Sequence, residues 1–141
     1  MRKTWILATA AAAGLLLANF GVERLAAADD KVPTIEDIMQ KVNKRKGGLH
    51  SDVGEALKAG TVDWDAVQAK TKEYTAMADF LGKNDPPKGS KSSWEKFTKT
   101  YADDAKALNA AAQKKDKTTV ASLHKKLSGE CMACHRAHKG M

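Results

Sequence analysis

From Ile35 onward, apolar side chains recur every three or four residues, the spacing that gathers them on one side of an α-helix. Ile35, Ile38, Met39, Val42, Leu49, Val53, Ala56 and Leu57 form the first stripe, whose phase survives Gly47-Gly48 with one skip at Lys46. This predicts one helix over 34–58 with Thr34 as N-cap, acidic residues in the first turn and Gly60 at its end. Its middle should be weak or bent, because each interior glycine costs roughly 1 kcal/mol.

A second helix is predicted to open at Asp63-Trp64, carry Trp64, Val67, Thr71, Tyr74, Ala78 and Leu81 inward, and close at Gly82. Residues 83–91, with Asn84-Asp85-Pro86-Pro87 and Gly89-Ser90, read as a loop. Ser92-Ser93-Trp94-Glu95 then reads as a capping box for a third helix, whose inner face is Trp94, Phe97, Tyr101, Ala105, Leu108 and Ala112. The polar stretch 113–117 turns the chain into a fourth helix with Asp116 near its cap and Val120, Leu123, Leu127, Cys131 and Cys134 in its stripe. Nothing alternates with a strand's period of two, so the expected fold is all-α, an antiparallel up-down-up-down four-helix bundle.

The first residues follow another logic. Arg2 and Lys3, an uncharged run over 4–22 and small residues at Ala26-Ala27-Ala28 match an exported leader, predicted to be removed as residues 1–28. An uncleaved anchor is the competing reading, because the run is just long enough to span a bilayer. Cleavage places the mature chain, residues 29–141, in the periplasm with no membrane attachment. It also lowers the formal charge from +7 to +5 by removing three basic residues and Glu23.

The only two cysteines lie in Cys131-Met132-Ala133-Cys134-His135, the CxxCH spacing of c-type haem attachment. Thiols one helical turn apart can each add across one vinyl group of the porphyrin, forming two thioethers. On a helix, positions i, i+3 and i+4 share a face, which sets the His135 imidazole beneath the iron as proximal ligand. A zinc site from Cys131, Cys134, His135 and His138 is disfavoured, because ligands on one straight helix cannot close a tetrahedron and no second cluster exists. A thioredoxin-like dithiol would need a βαβ setting that the pattern lacks. The lysines are dispersed without interleaved aromatics, which argues against nucleic acid and suits solubility or steering toward an acidic redox partner. No nucleophile with a base, paired carboxylates or cofactor loop points to an enzyme.

With its leader, four helices, Trp94 opening the third and a haem motif near the C-terminus followed by Lys139, the chain resembles the class II c-type cytochromes, the cytochrome c prime group. The resemblance implies one covalent haem c and periplasmic electron transfer through an exposed haem edge. It leaves room for a homodimer through the first two helices. In low-spin members a methionine of the first helix is the sixth ligand. Met39 is the matching residue: at about 1.5 Å per residue it falls within roughly a turn of His135's height when first and last helices are antiparallel. His/Met ligation suits electron transfer. Met39 as plain core filler is the bland alternative.

High-spin members leave the distal side open, so a five-coordinate protein binding nitric oxide or carbon monoxide is the second functional reading. A haem-free thiol or metal-binding bundle is the third. His138 departs from the family's aromatic, and it and Lys139 are candidates for haem propionate contacts, with surface solvation as the plainer role of each. His50 is expected at the surface or a bend, too far along the helix to share the site, and His124 is expected to be solvated or hydrogen-bonded.

Overall fold

The computed structural model describes residues 31–139, so the leader expected over residues 1–28 lies outside the described residues. Within that range are five helices and no strand: α1 (Ile35–Asn43), α2 (Leu49–Lys58), α3 (Trp64–Leu81), α4 (Lys91–Gln113) and α5 (Lys117–His138). Among the described residues no helix is long and apolar enough to cross a membrane.

The count differs from the expected four because the first apolar stripe belongs to two helices. Lys44 leaves the helix with an extended ψ of 136°, and Gly47 takes a left-handed φ of 75°. A Cβ on Gly48 would overlap the backbone of Val42 and Lys44, so the chain can double back this tightly only at glycine. The break is therefore a sharp turn rather than a bend.

Helix starts follow the side chains available to cap them. Thr34 and Asp37 form a reciprocal capping box on α1, with Asp37 N–H donating to Thr34 Oγ1 (3.1 Å) and Thr34 N–H to Asp37 Oδ2 (3.2 Å). Asp63 caps α3 and Asp116 caps α5, each accepting from the backbone three residues on. α4 starts earlier than expected: Ser90, not Ser92, is its cap and accepts from Ser93 N–H. The Ser93 hydroxyl lies 3.1 Å from His138 Nε2.

The core is continuous. Ile38, Val42, Val53, Val67, Tyr74, Ala78, Ala105, Leu108, Val120 and Leu127 have at most 1% of their surface exposed. Burying each large aliphatic side chain among them stabilises the fold by about 1.5–3 kcal/mol. α3 packs on α4, α4 on α5, and α2 on α3 and α5, whereas α1 packs on α2 and α3 alone. α1 thus stands off both α4 and α5.

Candidate functional site

The space between α1 and the α4–α5 pair is a cavity of about 1030 Å³ with predominantly apolar walls. Its size is at the upper end of the roughly 300–1,000 Å³ common for small-molecule sites. α1 contributes Ile35 and Met39, one turn apart, while α4 contributes Trp94, Phe97 and Tyr101 at steps of three and four. α5 contributes Cys131, Cys134 and His135, the face that helical geometry gives positions i, i+3 and i+4. Every site residue expected from the sequence lines this one cavity: Met39, Cys131, Cys134, His135, His138 and Lys139.

Both cysteines are free and half-buried. Burial pushes both thiols up from their ordinary range, and each is raised further by a neighbour, Glu130 for Cys131 and Cys131 for Cys134. Cys131 Sγ donates to the Leu127 carbonyl at 3.4 Å. Protonated, weakly nucleophilic thiols are the reverse of an activated redox dithiol. Met39 is part-buried, and its Sδ accepts a hydrogen bond from Asn43 Nδ2 at 3.2 Å, four residues along α1. His135 is likewise part-buried at the wall.

His138 is not the solvated side chain expected. It is 2% exposed, with the edges of Trp94 and Phe97 against its ring at 5.3 and 5.7 Å between centroids. Its Nδ1 lies 2.9 Å from the Lys88 carbonyl, which can only accept, so Nδ1 carries the hydrogen and Nε2 accepts from Ser93. Both nitrogens thereby tie the end of α5 to the 83–90 loop and the start of α4. Lys139 is exposed at the cavity mouth, as are Lys44 and Lys96.

A polar line runs from the cavity wall to the far side of α5. Tyr101, in the wall, donates to Tyr74 Oη at 2.8 Å, and Tyr74 approaches His50 Nδ1 at 3.4 Å. Since Ser128 gives its hydrogen to the His124 carbonyl, it must accept from His50 Nε2–H at 2.8 Å. His50 Nδ1 is then the acceptor for Tyr74. The His50 and His124 rings stack at 3.9 Å, 12° from parallel, and His124 Nε2 donates to the His50 carbonyl. His50, expected at the surface or a bend, is part-buried in the first turn of α2 directly after the break, and His124 is hydrogen-bonded, one of its two expected roles.

Sequence reasoning missed two carboxyl groups beside the cysteines. Glu130 lines the cavity, and Asp104 of α4 is 8% exposed and paired with Lys126 at 2.7 Å. The signal was there: Leu123, Leu127, Glu130 and Cys134 keep the inward phase of α5, placing an acid where an apolar side chain belongs. Among the described residues no three His, Cys, Asp or Glu side chains are grouped to hold a metal ion.

Compared with family models, curated proteins and solved structures, the chain matches none.

Proposed function

We propose that this protein is a periplasmic monohaem c-type cytochrome of the class II kind, an electron carrier rather than an enzyme. The observation that carries the reading is the gap itself: α1 is held off α4 and α5 by an apolar cavity of about 1030 Å³ into which the CxxCH face of α5 projects. Protein interiors pack at the density of organic crystals, and an apolar void of this size is a place for a ligand. An apolar wall carrying two thiols, one thioether and two imidazoles, of which His138 has both nitrogens committed and His135 does not, fits a flat macrocycle whose iron would take donors from the protein.

In this reading Cys131 and Cys134 would hold the haem through their sulfurs, and their raised, protonated state keeps them from pairing as a reactive dithiol. His135 and Met39 would bind its iron, and Asn43, which donates to the Met39 sulfur, would orient that thioether. Bound there, the haem supplies a one-electron centre whose potential is raised by His/Met ligation and by burial.

The bundle is read as antiparallel up-down-up-down with its first arm broken into α1 and α2. Support comes from the seam between α2 and α5, where His50 meets Ser128 and Gly54 faces His124, a pairing that only antiparallel helices make. Lys44, Lys96 and Lys139, exposed at the cavity mouth, give it a basic rim suited to an acidic redox partner.

Absorption spectra of the oxidised and reduced protein, made with intact haem-attachment machinery, test the proposal. A covalent low-spin haem that becomes high-spin in Met39→Ala is the expected result. A purified chain with the bare polypeptide mass would overturn the function. A reduced wild-type protein that is high-spin and takes up carbon monoxide would transfer it to the gas-binding reading.

A further inference from the structure

Two carboxyl oxygens beside the attachment site have no donor. Asp104 is buried, with 12% of its side chain exposed; its Oδ1 accepts from Lys126 Nζ at 2.7 Å, but its Oδ2 has no hydrogen-bond partner among the described residues. Glu130 Oε2 is buried in the same condition. The two side chains lie within hydrogen-bonding reach of each other across the α4–α5 seam. Two carboxylates cannot satisfy one another, but an acid and a carboxylate can, by sharing one proton. That proton is the donor both orphan oxygens lack.

The groups around the pair decide which member holds it. From α4 come Asp104 and Tyr101, and from α3 comes Tyr74, whose hydroxyls are already committed to each other and to His50 of α2. α5 itself contributes Lys126 and Cys131, and across the cavity stand Glu36 of α1 and Lys44 just past its end, with Lys96 and Lys139 at the mouth. Lys126 is bonded to Asp104 and not to Glu130. Burial, then the hydrogen bond and the negative charge of Asp104, push Glu130 up to about 7, with Lys126 opposing. Burial pushes Asp104 up as well, but its bonds to Glu130 and Lys126 outweigh that and hold it below its usual value. Glu130 is therefore the acid and Asp104 the carboxylate.

We infer that Glu130 and Asp104 form a proton-binding site linked to the redox state of the cavity: one electron entering the site draws one proton from solvent onto Glu130, and its departure releases that proton. The inference rests on the haem reading above. The electron comes from a one-electron donor protein, and the proton completes the Glu130 O–H that bonds Asp104, so charge near the buried centre is unchanged over the cycle. Glu130 is placed for this because it lines the cavity wall, immediately before Cys131. Lys126, exposed at the edge of the pair, holds Asp104 ionised.

The test is the reduction potential of the haem-bearing protein as a function of pH, with the infrared C=O band of a protonated carboxyl as a second readout. The wild-type potential should fall as pH rises through neutrality, approaching about 59 mV per tenfold drop in proton concentration, and the band should grow on reduction. Glu130→Gln should flatten the profile and remove the band. Asp104→Asn should move the sloping region to lower pH and Lys126→Gln to higher pH, opposite shifts that a merely structural role would not produce. A haem-bearing protein with a pH-independent potential, or with the same slope in Glu130→Gln, overturns the inference and leaves the cytochrome reading intact. A protein that carries no haem overturns both.

Discussion

The stacked His50 and His124 rings make the protein acid-sensitive by an amount that can be worked from the structure. Burial, with a smaller push from His124, lowers His50 from the ordinary 6.5 to about 4. Well above pH 6.5 the ring is neutral in folded and unfolded chains alike, and stability is whole. As pH falls from 6.5 toward 4 the unfolded chain binds the proton first, so stability is lost across that interval and the loss levels off below it. At about 1.4 kcal/mol for each tenfold difference in proton affinity, the full effect is about 3 kcal/mol. The ring is only part-buried, and solvent screening reduces this to about 1–2 kcal/mol. His50→Gln isolates the contribution, because the amide can accept from Tyr74 and donate to Ser128 without titrating. Urea unfolding followed by circular dichroism at about pH 7.5 and about pH 4.5 should show the variant losing about 1–2 kcal/mol less than wild type between the two. Equal losses in the two proteins would refute the assignment of His50 as a ring kept neutral by its surroundings.

Gly89→Ala should destabilise the fold by about 1–3 kcal/mol in thermal unfolding, because φ at Gly89 is 82° and a Cβ there would lie 2.9 Å from His138 Nδ1. Gly60→Ala, where a Cβ meets nothing within 4 Å, is the control and should stay within about 0.5 kcal/mol. Asn43→Ala, which removes the donor to Met39 Sδ, should leave haem attachment unchanged while adding a high-spin fraction to the oxidised spectrum. An unaltered spectrum would show that the amide does not direct the sulfur.

Helix positions and the face shared by Cys131, Cys134 and His135 were legible in the sequence because both are written in local spacing. Thr34, Asp63 and Asp116 cap the helices they precede, and the i, i+3, i+4 run at Cys131 fixes a face wherever α5 lies. What was not legible depends on residues distant in the chain. His138, 45 residues beyond Ser93, is buried against Trp94 and Phe97 and holds the Ser93 hydroxyl, a packing that nothing near it in the chain announces. His50, read singly as a surface or bend residue, and His124, read as solvated or hydrogen-bonded, become a part-buried stack only when α2 lies on α5. Glu130 stands out in the sequence only as an acid in the inward phase of α5, and its pairing with Asp104 exists only across the α4–α5 seam. The split of the first helix is a local event that periodicity masks, since the apolar phase runs on through the glycines while the backbone does not.

That split also accounts for the cavity. In the seam between α2 and α5, Gly54 stands opposite His124 and His50 opposite Ser128, so four residues backward along α2 match four forward along α5. A straight helix continued backward from His50 in that register would set Gly47 against Cys131, Lys44 against Cys134 and Asn43 against His135. Its side chains would pack directly onto the Cys131, Cys134 and His135 face and fill the cavity. The turn at Gly47 and Gly48 takes α1 off that line and onto α3, where Ile38 and Val42 are fully buried while Met39 is left at the cavity wall. The glycine pair that weakens the first helix is therefore what keeps the Cys131, Cys134 and His135 face open, with a thioether among the side chains lining the same space.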